Sequence, residues 1–261
     1  ALERALALKH SDSALSNLAT AYFNRRRFDR AIKGYQDALG DGRSSYEIWG
    51  NLGDAFYWAP GKRELAEAPY RKALAVGRHW LEDPSLRPHL NAAALSYLAN
   101  IFPKLDQPDS ARVYLDGIRT VIRKEGDSIQ FRGHTGTQLL GVTSGILEGE
   151  ILRAEGRPSD AVEVLKTAVA LEDELRYDEP EPLPFSARHW LGALLLEMGS
   201  AEEAEEVYRA ALEDHPRNGW SLFGLAQALD AQGRPGDALL VRRELAASWA
   251  NADVWLQTSR F

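Results

Sequence analysis

Histidines are the side chains best suited to acid–base catalysis or metal binding, and their spacing here argues against both roles. Catalysis requires a nucleophile beside a base, paired carboxylates in a cleft, or metal ligands at fixed spacing. No two histidines stand four residues apart and no H-E-x-x-H motif occurs. A zinc site needs three or four converging ligands, so each histidine is expected to pack or to face solvent. The six histidines are His10, His79, His89, His134, His189 and His215. The sequence therefore predicts a protein that is not an enzyme and that holds no metal or cofactor.

Two other motifs suggest ligand sites but have simpler interpretations. The G-H-T-G run at 133–136 places glycines where backbone N–H groups can approach an anion, but the Gly-Lys-Ser/Thr of a phosphate loop does not follow. We interpret it as a turn that leads into a helix. The glutamates that begin the run AEEAEEVYRAALEDH are typical of the solvated face of an early helical turn, where the helix dipole favours negative charge.

Composition narrows the class of protein further. The 261 residues contain no cysteine, which excludes disulfides and thiolate chemistry and is compatible with a cytoplasmic or an extracytoplasmic location. No apolar run reaches the roughly 18 residues that span a bilayer, so membrane insertion is not expected. Residues 131–261 carry 22 acidic and 12 basic side chains, against 16 and 19 in residues 1–130. This acidic half disfavours binding to nucleic acid, whose affinity depends on Lys and Arg.

An internal repeat supplies the elements that must position any binding residue. A small residue, an aromatic residue or a leucine three positions further on, and a second small residue later recur in six copies, and copies without an insertion between them are 34 residues apart. This spacing predicts pairs of antiparallel helices that touch at the small residues. The two clearest copies contain Leu18, Ala19, Tyr22, Ala31 and Tyr35, then Leu52, Gly53, Phe56, Ala66 and Tyr70.

The copies also define the expected domain organisation. Pro69 and Pro103 fall within predicted helices, and each is expected to kink its helix. The predicted segments are 1–11 as the second helix of an incomplete repeat, 12–125 as copies 1–3 with an insertion at about 80–91, 126–141 as a connecting segment, 142–252 as copies 4–6 with a Pro-rich linker at about 176–184, and 253–261 as a C-terminal tail.

These offsets resemble the tetratricopeptide repeat. The resemblance implies an all-α fold, a right-handed α-solenoid of antiparallel helix pairs whose first helices line a concave surface. The stretch EIWGNLGDAFYWAPGKRELAEAPYRKAL resembles repeat arrays attached to bacterial Ser/Thr kinases and cyclase-like regulators. The C-terminal half, from LEGEILRAEGR onward, resembles bacterial tetratricopeptide proteins without an assigned activity. Chaperone-binding members grip a terminal carboxylate with Lys and Asn, but Ser16 and Thr20 stand at those offsets in the first copy, so that clamp is not expected.

Binding is expected on the first-helix side chains that helix packing leaves free. Aromatic residues flanked by charges dominate binding hot spots, which favours Tyr57 and Trp58 as anchors, although Trp58 is equally compatible with packing against Pro60. His189 is expected on this surface, where it could meet Glu150. The predicted ligand-binding residues are Thr20, Phe23, Asn24, Asp54, Tyr57, Trp58, Asn100, Lys104, Glu150, Arg153, His189, Trp220, Phe223 and Gln227. The surface is expected to be free for other polypeptides.

Three functions are compatible with this reading. The first is a non-catalytic scaffold that binds a protein or peptide partner, and the second is a regulatory or sensory arm of a larger signalling protein. The third is a structural subunit that assembles head to tail. In that case the uncovered half-repeat at residues 1–11 would pack on the C-terminal helix of another copy, which would give homo-oligomers or filaments. Removal of upstream residues is the other explanation for the half-repeat.

Overall fold

The computed structural model describes residues 12–40, 45–83, 95, 97–98, 101, 103–105, 107–179, 181–183, 185–250, 256 and 258–260. Within this part the fold is helical apart from a two-stranded hairpin, which confirms the predicted all-α class. The predicted helix at residues 1–11 lies outside the described residues. The chain divides into two compact units, Ala1–Gln107 and Pro108–Phe261.

The described part of unit 1 contains two packed helix pairs. Helices α1 (Asp12–Asn24) and α2 (Phe28–Leu39) form the first pair, and α3 (Tyr46–Trp58) and α4 (Glu67–Leu81) form the second. Ser45 begins α3 by accepting a hydrogen bond from the Ile48 N–H at 3.3 Å, which satisfies one free donor of the first turn.

Small residues set the distance between the helices of unit 1. A Cβ atom placed on Gly34 of α2 would stand 2.9 Å from the Cβ of Ala19 on α1. One placed on Gly53 of α3 would stand 2.4 Å from the ring of Tyr70 on α4. Such distances are shorter than real carbon contacts, so only glycine allows this approach. The helices therefore touch where the small-residue pattern predicted.

Unit 2 continues the arrangement with seven helices in its described part. They are α5 (Pro108–Glu125), α6 (Gly136–Ala154), α7 (Pro158–Asp173), α8 (Ala187–Glu197), α9 (Ala201–Asp214), α10 (Gly219–Ala231) and α11 (Pro235–Ser248). Gly156, Gly199 and Gly233 have positive φ in the turns that join α6 to α7, α8 to α9 and α10 to α11. These turns need a left-handed residue, which glycine adopts without strain.

The G-H-T-G run belongs to a hairpin between α5 and α6. Strand β1 (Gln130–Phe131) pairs with β2 (His134–Thr135), and Gly133 in the turn has φ of 86°. Thr135 then caps α6 by accepting a hydrogen bond from the Gln138 N–H at 3.2 Å. The interpretation as a turn that leads into a helix is confirmed.

The acidic proline-rich linker is attached to this hairpin. Arg132 donates to the Asp178 carboxylate at 2.6 Å, and Arg176 donates to the Gly133 carbonyl at 2.7 Å. Residues 176–179 are not helical.

Both proline expectations are wrong. Pro69 lies in the first turn of α4, after a 3-10 helix at Arg63–Ala66, where a helical N–H has no intrahelical acceptor to lose. Pro103 begins a 3-10 helix at Pro103–Leu105 and lies in no α-helix. Neither residue removes a hydrogen bond from a helix interior, so neither kinks one.

Candidate functional site

A tyrosine of the second helix is paired with a polar residue of the first helix in both pairs of unit 1. The hydroxyl groups of Tyr35 and Thr20 lie 2.9 Å apart, and the hydroxyl of Tyr70 donates to Asp54 at 2.6 Å. Both tyrosines are almost fully buried, and burial raises the pKa of each phenol. A buried hydroxyl must find a hydrogen-bond partner, and the residue after the small position of the first helix provides it.

In two copies of unit 2, the polar residue of the first helix and the tyrosine of the second helix do not occur together. Glu150 stands at the Asp54 position of its copy, but Leu165 stands at the tyrosine position and packs against Gly149. Tyr208 is present in the next copy, where Ala193 replaces the polar residue. One copy thus has a carboxylate without a tyrosine, and the next has a buried tyrosine without a polar residue at this position.

The Tyr208 ring itself is held tightly between α8 and α10. A Cβ atom on Gly192 would stand 2.5 Å from the ring, and one on Gly224 would stand 2.1 Å from it. Glycine at both positions allows the ring to lie flat between the helices. Burial raises the Tyr208 pKa to about 12, while its Ser259 partner and the Arg260 charge act in the opposite direction. The hydroxyl is therefore neutral and needs a partner at this depth.

Residues 258–260 supply both missing partners. The Ser259 hydroxyl lies 2.5 Å from the Tyr208 hydroxyl, and Ser259 is 1% exposed. The next residue, Arg260, donates to Glu150 at 3.0 Å and to Glu197 at 2.6 Å. We call residues 258–260 the Ser-Arg segment, and Glu150, Glu197 and Tyr208 the acceptor site.

A second arginine completes the charge arrangement of the acceptor site. Arg153 donates to Glu150 at 3.0 Å, and its guanidinium lies 3.9 Å from Glu197. Two carboxylates on α6 and α8 therefore face two guanidinium groups, one of which comes from the Ser-Arg segment. The expectation that the first-helix surface is free is wrong at this place, because the chain's own residues occupy it.

In unit 1 the predicted residues Asp54, Tyr57 and Lys104 form one cluster. Lys104 Nζ lies 2.5 Å from Asp54 Oδ1, the oxygen that accepts from Tyr70, and 6.0 Å from the centre of the Tyr57 ring. Arg63 donates to the Tyr57 hydroxyl at 2.6 Å and its guanidinium carbon lies 4.3 Å from the ring centre. The Asp54 and Lys104 charges thus compensate each other beside an aromatic surface.

Trp58, next to Tyr57, is exposed to solvent. Its residue exposure is 38%, and its ring meets Tyr57 edge to face with the centres 5.3 Å apart. Asn100 lies outside the described residues. Phe23 packs edge to face on Phe28 at 5.7 Å, and Asn24 is exposed at the end of α1.

The predicted residues of α10 have mixed environments. Trp220 meets the Trp249 ring with the centres 6.3 Å apart, and Phe223 is half-buried. Gln227 is exposed and stands at the same repeat position as Glu150. The structure therefore places these residues on α10 but joins none of them to the acceptor site through a described hydrogen bond.

The expectation for His189 is wrong. The residue is 3% exposed, its Nε2 lies 3.1 Å from the Ser221 hydroxyl of α10, and its Nδ1 has no hydrogen-bond partner among the described residues. Glu150 is bonded instead to Arg153 and Arg260. Burial, followed by the nearby His215, lowers the His189 pKa to about 4. This histidine is a neutral core residue between α8 and α10.

Sequence reasoning missed that Ser259, Arg260 and Tyr208 form one site with Glu150 and Glu197. The repeat alignment does contain a signal for the Tyr208 part of this site. The first-helix position that holds Thr20 opposite Tyr35 and Asp54 opposite Tyr70 holds Ala193 in the copy of Tyr208. That alanine leaves a buried hydroxyl without a local partner. The identity of the replacement is not encoded in the repeat, since it comes from beyond the last copy.

Solved structures with similar folds come from several sources. The chain aligns over 92% of its length with 35% of a signal-transduction ATPase with a tetratricopeptide repeat sensor from Pyrococcus horikoshii, with a TM-score of 0.58 and 15% identity. It aligns over its full length with 96% of BtubC (BKLC) from P. vanneervenii, with a TM-score of 0.53 and 17% identity. It also aligns over 78% with 94% of a Podospora anserina putative kinesin light chain with TPR-like repeats, with a TM-score of 0.51 and 20% identity.

Sequence comparison points to the same repeat. No curated protein matches the chain. Family models described as Tetratricopeptide repeat match residues 16–84 and 146–218, and another with the same description matches residues 195–255. These ranges cover more than half of the sequence and contain five of the helix pairs named above or parts of them. The chain therefore belongs to the tetratricopeptide repeat family.

Proposed function

We propose that this chain is a non-catalytic scaffold that binds a non-helical segment of a partner protein on its first-helix side chains. Stacked helix pairs of this kind serve as protein-interaction scaffolds. The observation that carries the proposal is the Ser-Arg segment, which is not helical and whose side chains bond to Glu150 on α6 and Glu197 on α8. Both glutamates project from first helices, so these helices offer carboxylates to a polypeptide that is not helical.

Unit 1 offers a second surface with the properties of a binding anchor. Trp58 is exposed although it is large and apolar, and Tyr57 beside it carries a guanidinium against its ring. Aromatic and arginine side chains supply much of the binding energy in protein interfaces, because they bury a large area at a small cost in entropy. We infer that Tyr57 and Trp58 contact the partner.

No helix among the described residues is long and apolar enough to cross a bilayer.

Selection from a displayed library of random peptides tests this function with the full chain. We expect enriched peptides whose binding weakens by at least roughly fivefold in Tyr57→Ala/Trp58→Ala or in Glu150→Gln/Glu197→Gln, because a hot-spot truncation costs more than about 1 kcal/mol. Leu65→Ala is the matched control for the aromatic pair, since Leu65 is also exposed and apolar but lies in the 3-10 helix. Glu163→Gln on α7 is the control for the glutamates.

Two results would reject the proposal. One is a selection that enriches no peptide. The other is a set of enriched peptides that tolerate both first-helix variants and lose binding in the controls.

A further inference from the structure

We propose, building on the proposed function, that the acceptor site recognises a hydroxyl side chain followed directly by arginine, and that the chain's own Ser-Arg segment holds the site until a partner segment of this chemistry displaces it. The partner is a polypeptide with a Ser-Arg or Thr-Arg pair in a non-helical stretch. The Ser-Arg segment then acts as an intramolecular competitor.

The hydroxyl half of this recognition follows from the Tyr208 position. Its ring is fixed between Gly192 and Gly224, so the phenol oxygen cannot turn to another partner without moving two helices. Ala193 offers it nothing polar, in contrast to Thr20 and Asp54 in unit 1. A small hydroxyl such as Ser259 fits because it donates or accepts as needed and is itself fully buried there. An apolar side chain would leave the Tyr208 hydroxyl unpaired.

The arginine half follows from the two carboxylates. Glu150 on α6 and Glu197 on α8 are bonded by different terminal nitrogens of the same guanidinium, Nη1 and Nη2. Arginine presents several donors in a rigid planar group, whereas lysine offers a single point charge on a flexible stem. The side chain of Arg260 is 13% exposed, so the guanidinium is largely enclosed. A lysine at this place would reach one carboxylate well and the other poorly.

The charge of the surrounding chain favours a basic partner. Residues 131–261 carry ten more acidic than basic side chains, and the two glutamates have Arg153 as their other described cationic partner. An acidic surface raises the local concentration of cationic segments and speeds their encounter. The complementary partner is therefore cationic around its arginine.

The contacts of the Ser-Arg segment are of a kind that permits exchange. Its described bonds to the rest of the chain are one hydroxyl pair and one arginine that bridges two carboxylates, and the Glu197 side chain is 46% exposed. The Arg260–Glu197 pair is therefore partly open to solvent and is the weaker of the two ion pairs of Arg260. Attachment to the same chain compensates for this weakness, since a short tether keeps the segment at an effective concentration of roughly millimolar.

The test measures binding of a synthetic peptide with the sequence of residues 255–261, WLQTSRF, to the full chain by fluorescence anisotropy. A full-length variant, Ser259→Ala/Arg260→Gln, lacks both contacts of the competitor and is called the released variant. We expect the released variant to bind the peptide at least roughly tenfold more tightly than the unmodified chain, because the tethered competitor is absent. Peptides that carry Ser259→Ala or Arg260→Lys should bind the released variant several-fold more weakly.

Two further proteins make the result specific. Adding Glu150→Gln and Glu197→Gln to the released variant should abolish peptide binding, whereas adding Glu163→Gln on α7 should leave it unchanged. If the released variant loses helicity in circular dichroism, the single variant Arg260→Gln replaces it, because it keeps the Ser259 bond to Tyr208.

The proposal is overturned if the folded released variant does not bind the peptide, or if it binds no more tightly than the unmodified chain. Failure here is distinguishable from failure of the proposed function. A chain that still selects other peptides through its first helices, but ignores WLQTSRF, retains the scaffold function and loses only the Ser-Arg specificity.

Discussion

The buried tyrosines of the second helices differ in the origin of their hydrogen-bond partners. Tyr35 and Tyr70 use the first helix of their own pair, whereas Tyr208 uses Ser259, which lies 51 residues further along the chain. A buried hydroxyl left without a partner costs about 1–3 kcal/mol, so each pair matters to folding. At Tyr208 this cost connects folding to occupancy of the acceptor site.

A double-mutant cycle at Tyr208 and Ser259 measures this connection. Tyr208→Phe in the unmodified chain should lower the free energy of unfolding by about 1–2 kcal/mol, because the buried Ser259 hydroxyl loses its partner. In a Ser259→Ala background the same change should cost much less, because no hydroxyl is left unpaired. Urea unfolding of the four proteins gives the coupling energy.

Tyr70→Phe provides the reference for this cycle. Its partner is Asp54, so its effect should be the same with or without Ser259. Equal effects of Tyr208→Phe in the two backgrounds would refute the pairing of Tyr208 with Ser259.

His189 predicts a loss of stability in acid. Its pKa is about 4 in the folded chain, against 6.5 for a solvent-exposed histidine of the unfolded chain. Below pH 6.5 the unfolded chain therefore binds a proton at this residue while the folded chain does not. This destabilisation of the folded chain by His189 is absent above pH 6.5 and grows as the pH falls toward 4. Between pH 7 and pH 4.5 the unfolding free energy should fall by about 2 kcal/mol more than in His189→Leu. Urea titrations at both pH values check this, and identical pH dependence in the two proteins would contradict it.

At the scale of elements, the close approach of paired helices rests on glycine. Gly53 lies against the buried ring of Tyr70, whereas a Cβ atom on Gly236 of α11 would meet nothing. Gly53→Ala should destabilise the chain by about 1–3 kcal/mol through overpacking. Gly236→Ala should be neutral or stabilising by up to about 1 kcal/mol, because alanine favours the helix. Thermal or urea unfolding measures the stability of the two variants. Equal effects of the two substitutions would refute the claim that Gly53 is required for the contact of α3 with Tyr70.

The helices were the most predictable part of the molecule, because the small positions repeat from pair to pair. The prolines were misjudged for a local reason. A proline in a first turn or a 3-10 turn gives the same residue pattern as one in a helix interior, and only the helix boundary distinguishes them. His189 was misjudged because the register that places a residue on a first helix does not say whether the next first helix covers it.

At the scale of the whole molecule, the acceptor site could not be read from the repeat. Arg260 reaches Glu150 and Glu197 across 110 and 63 residues of sequence, and periodicity within copies carries no information about such contacts. Glu150 and Arg153 were predicted as binding residues, and the structure gives them to the acceptor site together with residues that were not.

Two predictions concern the chain beyond its described helices. Head-to-tail assembly through residues 1–11 predicts a mass that rises with concentration in light scattering, and a constant monomer mass would reject it.

The hypothesis of a signalling arm predicts that a kinase or cyclase domain is encoded upstream of Ala1. Sequencing of the gene tests this prediction.

In the proposed complex, Glu150 and Glu197 on the first helices of unit 2 hold the arginine of a partner polypeptide, and Tyr208 on a second helix holds its hydroxyl. A crystal structure of the released variant with the WLQTSRF peptide tests it most directly. We expect the peptide arginine within hydrogen-bond distance of Glu150 and Glu197, and the peptide serine against the Tyr208 hydroxyl. A peptide bound elsewhere on the chain, with Glu150, Glu197 and Tyr208 untouched, would contradict it.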